Sequence, residues 1–419
     1  MSLIVIGLLF ALIMLGFPIG FALMVTAAIA MAIQGIDLIV VPIQMYSGTN
    51  SIVLLAIPFF ILMGELMGAT SISERIISLA SALVGWIRGG LSHVNVVTSM
   101  FMAEMSGSAV ADAAVMSKIF VPNMEKQGYP RTFSAAITAA SATLGIIIPP
   151  SIPMVLYGVT TNTSIKDLFI AGIVPGILLG GAFMVTNYIF ARRESYPVDN
   201  SFELPRLGIA FKRAAVPLLI PVIVVGGLIA GIVTPTEAAA VGVLAALVFG
   251  TAMQKDLSMP QVGGILVTTV RQTSVVMMIV AGSAVLGQFL ANEQIPQMIA
   301  GGLTSLSSDP IILTLLINVF LLFLGMFLHA SAAIIIVVPM LLPVATQIGI
   351  DPVHFGVIVC LNLGIGQQTP PVASVLLTVC STTGLKIEHV MGYMKWFILS
   401  MFVTLVIVTF TPTTATWFL

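Results

Sequence analysis

Long apolar runs with almost no charge constrain this chain more than any other feature of its sequence. A helix needs about 20 apolar residues to cross a bilayer. Runs of roughly that length lie at about 3–34, 51–69, 131–164, 168–191, 211–233, 236–252, 272–291, 353–382 and 394–416. Only helices and closed barrels satisfy their backbone in lipid, and barrel strands alternate apolar and polar residues. The unbroken runs therefore predict an all-α polytopic membrane protein.

Composition excludes the other broad classes. Of the 419 residues, 7% are charged and 58% are hydrophobic, whereas about 25% of the residues in a soluble domain are charged. So few charges cannot cover a water-facing surface of this size. A soluble enzyme, a nucleic-acid-binding protein and a disordered chain are thereby excluded. Cys360 and Cys380 lie in apolar runs and are predicted to be core residues rather than a disulfide or metal ligands.

The positions of the charges predict an orientation. Residues 192–213 form the only sizeable hydrophilic stretch, which we interpret as a linker between two halves. If this linker is cytoplasmic and the spans alternate, 14 of the 15 basic residues lie inside and only Lys166 lies outside, as the preference of basic residues for cytoplasmic loops requires. Two charged pieces, 72–90 and 257–270, are predicted to be amphipathic surface helices. Pro18 interrupts the first run, which leaves open one kinked helix or two.

The sequence contains an internal repeat. Residues 106–167 match residues 327–388 without gaps at a constant offset of 221. The offset aligns Pro122 with Pro343, Gly128 with Gly349, Gly145 with Gly366, Pro149-Pro150 with Pro370-Pro371 and Thr161 with Thr382. The predicted orientation places Gly128 inside and Gly349 outside, so the two halves are inverted. Inverted repeats that enclose a site near the middle of the membrane are typical of secondary transporters.

Each half is predicted to carry a re-entrant helical hairpin and a broken transmembrane helix. The predicted boundaries are 1–191 for the first half, with its hairpin at 91–122 and its broken helix at 131–164, and 214–419 for the second half, with its hairpin at 311–348 and its broken helix at 353–382. Consecutive prolines interrupt a helix and free backbone carbonyls that need a partner in the membrane. Na+, a hard cation, takes such oxygen ligands. We therefore predict two sodium sites, each between a hairpin tip and the break of the same half.

Several motifs resemble one known family. They are GELMG at 64–68, AEMSGSAVADAAVMSKI at 103–119, GIIIPPSIPMVLYG at 145–158, TPTEAAAVG at 234–242, LGMFLHASAAIIIVVPMLLPV at 324–344 and LGIGQQTPPVASVLL at 363–377. Together they resemble the large membrane subunit of tripartite ATP-independent periplasmic (TRAP) transporters, the DctM-like permeases. The resemblance implies an elevator-type transporter of the bacterial inner membrane that takes up a small organic acid anion, sialic acid or a C4-dicarboxylate, together with Na+. It also implies a small four-helix membrane subunit and a periplasmic substrate-binding protein as partners.

The tips and breaks supply the candidate site residues. The predicted Na+ ligands, through side chain or backbone, are Ser106, Gly107, Ser108, Gly145, Ile148, Pro149, Ala330, Gly366, Thr369 and Pro370. The predicted substrate contacts are Ser108, Asp112, His329 and Ser331. An acid such as Asp112 within an apolar region is costly, and both a functional role and a structural salt bridge stay open for it. His329 departs from the family pattern, in which this position is often acidic.

Other polar residues within the apolar regions allow two interpretations. Ligand binding and plain structural hydrogen bonding both stay open for Glu65, Glu104, Asn362, Gln367 and Gln368. Glu237, three residues after Thr234, suits a helix cap, and Arg271 suits a cytoplasmic anchor.

Two alternative functions can be compared with this prediction. A stand-alone Na+/dicarboxylate symporter would need no binding protein. An intramembrane protease would need a Ser/His, paired Asp or HExxH constellation. The four histidines include no HExxH, and no paired aspartates lie within the apolar runs. The sequence therefore predicts a transporter rather than an enzyme.

Overall fold

A computed structural model describes residues 2–295, 297–298, 301–302 and 309–419, and their side chains except those of 2–4, 6, 14 and 104–106. The described residues contain helices and no β-strand. The helices are α1 Ser2–Met14, α2 Ile19–Ile33, α3 Val40–Thr49, α4 Ala56–Gly68, α5 Ile72–Val84, α6 Gly90–Ser106, α7 Ala109–Lys126, α8 Arg131–Ala142, α9 Ile152–Thr161, α10 Ile165–Arg193, α11 Leu204–Ile229, α12 Pro235–Val248, α13 Met259–Asn292, α14 Pro310–Phe327, α15 Ala330–Gln347, α16 Pro352–Gly366, α17 Ser374–Thr383, α18 Ile387–Phe410 and α19 Thr413–Thr416.

The helices confirm the predicted all-α membrane architecture. Within the described part of the chain, seven helices are long and apolar enough to cross a membrane, namely α10 to α15 and α18, with α12 extended by a π-helical turn to Met253. The bent pair α3–α4, with 63° between its parts, adds an eighth candidate span. Large apolar side chains such as Val319 and Phe323 on α14 and Leu399 on α18 are exposed. In a membrane protein such side chains are available to contact lipid or another subunit.

The structure decides one open alternative and corrects one predicted segment. The first apolar run is two helices, because Gly16 adopts a φ of +86° and Pro18 starts α2 as its N-cap. The predicted surface helix at 257–270 is not separate, since α13 runs continuously for 34 residues from Met259 to Asn292. A capping box of Ser258 and Gln261 starts this helix, and no later glycine or proline breaks it. The other predicted surface helix is present as α5.

The connection between the halves is shorter than the predicted linker. Helix α10 continues to Arg193, and α11 begins at Leu204. The irregular segment between them is held by hydrogen bonds: the carbonyl oxygen of Pro197 accepts from the N–H groups of Gly89 and Gly90 at 3.0 and 3.3 Å. This segment therefore lies against the start of α6 instead of extending freely into solvent.

The two halves contain the same helices in the same order. We define the first hairpin as α6–α7, the first broken span as α8–α9, the second hairpin as α14–α15 and the second broken span as α16–α17. The starts of these helices correspond at an offset of 221 to within one residue. Gly128 and Gly349, each between hairpin and broken span, both have a φ of +88°, which only glycine adopts readily.

Packing between the halves is reciprocal. Helix α7 packs on α17 of the other half, and α15 packs on α9. A two-fold relation produces such an exchange, because each contact is then repeated with the roles reversed. Helices α8 and α16 are buried along nearly their whole length and lie at the centre. The arrangement is consistent with inverted repeats, while the opposite orientation of the halves in the membrane stays a prediction.

Candidate functional site

The first broken span contains a buried break that its own residues close. The break follows a 3-10 turn, Thr143–Ile146, and includes the cis peptide bond of Pro149-Pro150. The hydroxyl of Ser151 donates to the carbonyl oxygen of Ile146 at 2.5 Å and accepts from the N–H of Met154 at 3.5 Å. Every residue from the turn to the start of α9 is buried. Ser151 thus caps α9 and ties it back to the turn.

The tip of the first hairpin lies directly against this break. Gly107 has a φ of +57°, and a Cβ added to it would lie 3.0 Å from the carbonyl oxygen of Pro150. From the other side, a Cβ on Gly145 would lie 2.9 Å from Oδ2 of Asp112 and 3.7 Å from the carbonyl carbon of Ser108. These approaches place the carbonyl oxygen of Pro150 against the tip and the carboxylate of Asp112 against the break.

The other predicted residues of the first sodium site contribute differently. Ser108 is the N-cap of α7, and its Oγ accepts from the N–H of Ala111 at 3.5 Å. Ile148 and Pro149 line an apolar cavity of about 470 Å³ between the break and α6, α10 and α11. These two residues can therefore serve an ion only through their carbonyl oxygens. The side chain of Ser106 lies outside the described part of the structure.

The second hairpin also contacts its own break, but through the end of its first arm. Helix α16 ends at Gly366, where a Cβ would lie 2.4 Å from the carbonyl carbon of Gly325. The N–H of Val372 donates to the carbonyl oxygen of Met326 at 3.3 Å. Pro370-Pro371 is again a cis peptide bond. The second half therefore repeats the close glycine approach of the first half, with different partners.

The second tip is placed slightly earlier than predicted. The turn consists of Leu328 and His329, whereas Ala330 and Ser331 form the buried first turn of α15. His329 is the N-cap residue, is partly exposed and makes no side-chain capping bond. The sequence predicts a tip near His329, Ala330 and Ser331, and of these three His329 lies in the turn.

Thr369 and Pro370 are half-buried in the second break. The hydroxyl of Thr369 donates to the carbonyl oxygen of Ile365 at 2.9 Å, which leaves the lone pairs of its Oγ1 for a cation. The neighbouring Pro371 and Val372 are exposed. This break is therefore accessible in a way that the first break is not.

A buried polar cluster joins the two broken spans at the centre. Nε2 of Gln368 donates to the carbonyl oxygen of Ala139 at 2.6 Å and to Oγ1 of Thr143 at 2.8 Å. Nδ2 of Asn362 donates to Oδ1 of Asn318 at 2.7 Å. The buried polar atoms of this cluster without a hydrogen-bond partner in the described part are Oγ of Ser141, Oδ1 of Asn362, Oε1 of Gln368 and both polar atoms of the Gln367 side chain.

Unpartnered polar atoms in a buried site cost about 1–3 kcal/mol each, so the cluster is suited to a further polar ligand. The sequence analysis named the amides but missed Ser141 and Thr143. A signal was available, because the offset of 221 aligns Ser141 with Asn362.

A cavity of about 260 Å³ adjoins the first hairpin tip. The residues that line it are Ile61, Gly64, Glu65, Gly68, Ala69, Met102, Ser108, Ala111, Asp112, Val115, Ile265 and Gln272. Ser108 and Asp112 were predicted to contact substrate, whereas the other two predicted contacts, His329 and Ser331, do not line this cavity. The sequence analysis missed Gln272, although an amide within an apolar run was a usable signal.

Two structural predictions are confirmed outside the cavities. Thr234 and Glu237 form a capping box at the start of α12. Cys360 and Cys380 are free, buried thiols. Arg271 is exposed on α13, and its role as a cytoplasmic anchor stays a prediction. In the described residues, no group of three or more His, Cys, Asp or Glu side chains is arranged to hold a metal ion.

Comparison with known proteins places the chain among membrane transporters. The sequence model of the tripartite ATP-independent periplasmic transporter, DctM component, matches residues 6–414. The sialic acid TRAP transporter large permease protein SiaM of Vibrio cholerae is 43% identical, over 89% of this chain and 87% of that protein. The C4-dicarboxylate TRAP transporter large permease protein DctM of Pseudomonas aeruginosa is 38% identical, over 88% and 87%. The fold is similar to that of the Alcanivorax borkumensis YdaH transporter, with a TM-score of 0.61 at 15% identity over 88% of this chain and 86% of that one.

Proposed function

Because this chain belongs to the family of the DctM component of tripartite ATP-independent periplasmic transporters, we propose that it couples Na+ to the uptake of a small organic acid anion. It is a transporter permease and not an enzyme. The observation that carries the proposed coupling is the contact between the first hairpin tip and its break. The carbonyl oxygen of Pro150 lies against the tip there, and the carboxylate of Asp112 lies against Gly145 of the break. Oxygen ligands of this kind suit Na+.

Two sodium sites follow from the pseudo-symmetry. The first uses backbone and hydroxyl oxygens of the first tip and its break, around Ser108 and Gly145. The second uses the break at Gly366 and the hydroxyl of Thr369. Support comes from the repeated glycine approach in both halves and from the available lone pairs of Thr369.

The proposed substrate is a sialic acid or a C4-dicarboxylate, as the names of the two relatives indicate for those proteins. A periplasmic binding protein would deliver it, and a small four-helix membrane subunit would accompany this chain. Both partners are the complement that the family name implies for a tripartite transporter. The location proposed for the complex is the bacterial inner membrane, with residues 192–213 facing the cytoplasm.

The proposed movement is an elevator-like shift of both hairpins and both broken spans as one body. The first tip and the end of the first arm of the second hairpin are in backbone contact with their breaks. Separating them would leave polar groups unpaired in a low-dielectric interior, at several kcal/mol each. The scaffold would include α4 and α13, with α5 as a surface arm.

The test is uptake into proteoliposomes that contain the permease, its small subunit and the loaded binding protein. We expect uptake to require an inward Na+ gradient and to increase with an inside-negative potential, which supplies about 2.3 kcal/mol per net charge per 100 mV. Ser108→Ala and Thr369→Ala should weaken the Na+ response more than expression. Uptake that is equal without Na+ contradicts the proposal. Uptake that is equal without the binding protein favours the stand-alone symporter.

A further inference from the structure

The basic residues at one end of α10 and α11 carry an inference about the lipid around this chain, independent of its substrate and of Na+ coupling. Helix α10 ends at Arg193, α11 begins at Leu204, and both are long and apolar enough to cross a membrane. The connection between them therefore lies where the bilayer meets water, at the level of the lipid headgroups. We define the junction surface as residues 192–213 together with 85–90, the turn between α5 and α6.

Hydrogen bonds hold the two parts of the junction surface together. The carbonyl oxygen of Gly85 accepts from the N–H groups of Asp199 and Asn200 at 3.1 and 3.2 Å, in addition to the bonds between Pro197 and the start of α6. Oδ2 of Asp199 also accepts from the hydroxyl of Ser81 at 3.0 Å. Two segments that are far apart in the sequence thus form one surface.

Cations outnumber acids on this surface, and the acids are already engaged. Residues 85–90 and 192–213 contain six basic and three acidic residues. The acids Glu194, Asp199 and Glu203 all accept hydrogen bonds from hydroxyl groups of the protein. The six basic side chains are exposed, and none of them forms an ion pair within the part of the chain that the structure describes. They are therefore available to an external anion.

Three of these cations are brought together by a close approach of the backbone. A Cβ added to Gly89 would lie only 2.6 Å from Cβ of Ala191. Arg88 directly precedes this glycine, and Arg192 and Arg193 directly follow this alanine. Three guanidinium groups thus extend from neighbouring points of the backbone. Guanidinium groups bind phosphate through paired N–H donors, so this cluster suits a phosphate group.

The internal repeat shows that the fold does not require these cations. At the offset of 221, Arg88 corresponds to Asp309, and Arg192-Arg193 corresponds to Thr413-Thr414. Asp309 is the N-cap of α14 and starts that helix. The equivalent positions of the second half are therefore filled without a basic residue, and the cations of the first half need another explanation.

An exposed aromatic pair lies on the same surface. The rings of Trp86 and Phe202 meet edge to face with their centroids 5.9 Å apart, although the side chains are 48% and 51% exposed. Nε1 of Trp86 donates to the carbonyl oxygen of Leu83 at 2.8 Å, which fixes the indole ring. Tryptophan is typical of the headgroup level of a membrane. Apolar rings beside free cations match a lipid, which has a phosphate and acyl chains, better than a free anion.

We propose that the junction surface binds phospholipids with an anionic headgroup. The phosphate would lie among Arg88, Arg192 and Arg193, and the start of the acyl chains would contact Trp86 and Phe202. The preference of basic residues for cytoplasmic loops accounts for the number of cations, but it predicts no bound lipid at this place. Each Lys or Arg near an anionic membrane surface strengthens binding by about fivefold.

The test measures lipid contact at the junction surface directly. The chain has three tryptophans, so Trp396→Phe with Trp417→Phe leaves Trp86 as its only fluorophore of this kind. This protein, with a tryptophan-free form of its small subunit, is placed in nanodiscs that contain a brominated lipid. Brominated phosphatidylglycerol should quench Trp86 more strongly than brominated phosphatidylcholine at the same mole fraction.

The chain offers a matched control at another exposed tryptophan. Trp417 is 58% exposed, and residues 409–419 contain no basic residue. A protein that keeps Trp417 alone should be quenched equally by the two brominated lipids. Equal quenching of Trp86 by the two lipids overturns the proposal, and so does a complete lack of quenching, which would mean that another subunit covers this surface.

Charge variants identify the cations responsible. Arg192→Gln and Arg193→Gln should each lower the preference of Trp86 for phosphatidylglycerol by about fivefold. The control is Lys166→Gln at the opposite end of α10, which should leave the preference unchanged. An equal loss in Lys166→Gln overturns the proposal, because it indicates a diffuse attraction. Loss of the preference on adding millimolar inorganic phosphate at constant ionic strength also overturns it, because the surface would then bind free anions.

Discussion

The two breaks occupy equivalent positions in the repeat but are finished differently. In the first half, Ser151 is fully buried and holds both sides of the break together. Its equivalent in the second half is Val372, which is 41% exposed and cannot form these bonds. The next residue, Ala373, has a φ of +49° and provides no side-chain cap for α17. The Pro-Pro pairs, which the two halves share, determine where each helix breaks. The residues that follow them, Ser151 and Val372, differ, and they determine whether the break is closed or accessible.

The glycines at the two breaks also occupy equivalent positions but make different contacts. Gly145 approaches the carboxylate of Asp112, which is the end of a flexible side chain, whereas Gly366 approaches the backbone of Gly325. The first break is thus closed by side chains and is buried. At the second break, two backbone segments of the same chain touch each other. We expect the first half to tolerate small changes at its glycine and the second half to tolerate none.

Labelling from the two sides of the membrane tests whether the two halves have opposite orientations, which is the largest effect that we expect. Lys126 and Gln347 are equivalent, exposed residues at the ends of the two hairpins. If the halves are inverted, Lys126→Cys should react with an impermeant thiol reagent only from the cytoplasmic side and Gln347→Cys only from the periplasmic side. The native thiols Cys360 and Cys380 are buried and should add little background. Reaction of both variants from one side would remove the basis for comparing the breaks as inverted equivalents.

Substituting the two equivalent glycines has the next largest expected effect. In Gly366→Ala the new methyl group would lie 2.4 Å from the Gly325 backbone, which cannot move aside, so we expect a loss of about 3 kcal/mol or more and little folded protein. In Gly145→Ala the clash at 2.9 Å is with the Asp112 carboxylate, which is the end of a side chain and not backbone. This variant should fold and show an altered Na+ response.

Yield from gel filtration and the Na+ dependence of thermal unfolding check the glycine pair. The control is Gly181→Ala on α10, where a Cβ would meet nothing within 4 Å, and it should behave like the native protein. Equal stability of Gly366→Ala and Gly145→Ala would show that the backbone contact of the second half is less rigid than its geometry indicates.

Periodicity and repeats predicted the large features because they depend on few residue types. Apolar runs identify spans, and Pro-Pro pairs interrupt a helix almost regardless of their neighbours. The details at the centre depend on long-range contacts that no local pattern contains. Gln368 finds the carbonyl of Ala139, and Gln272 finds Glu65, across about 200 residues of sequence or more. The sequence analysis also missed the continuity of α13. It took the scattered charges near the start of this helix as the mark of a separate surface helix, but such charges do not interrupt a helix.

The smallest expected effect isolates the capping difference between the breaks. Ser151→Ala removes the cap of α9 and the bond to the carbonyl of Ile146, and the loss of an N-cap costs about 0.5–2 kcal/mol. The equivalent change Val372→Ala trims an exposed side chain that makes no cap and should cost less than about 0.5 kcal/mol. Thermal unfolding of the two variants measures the difference, and a lower melting temperature is expected for Ser151→Ala alone. A matched drop in both variants would show that capping does not distinguish the breaks, and burial alone would then account for the closed first break.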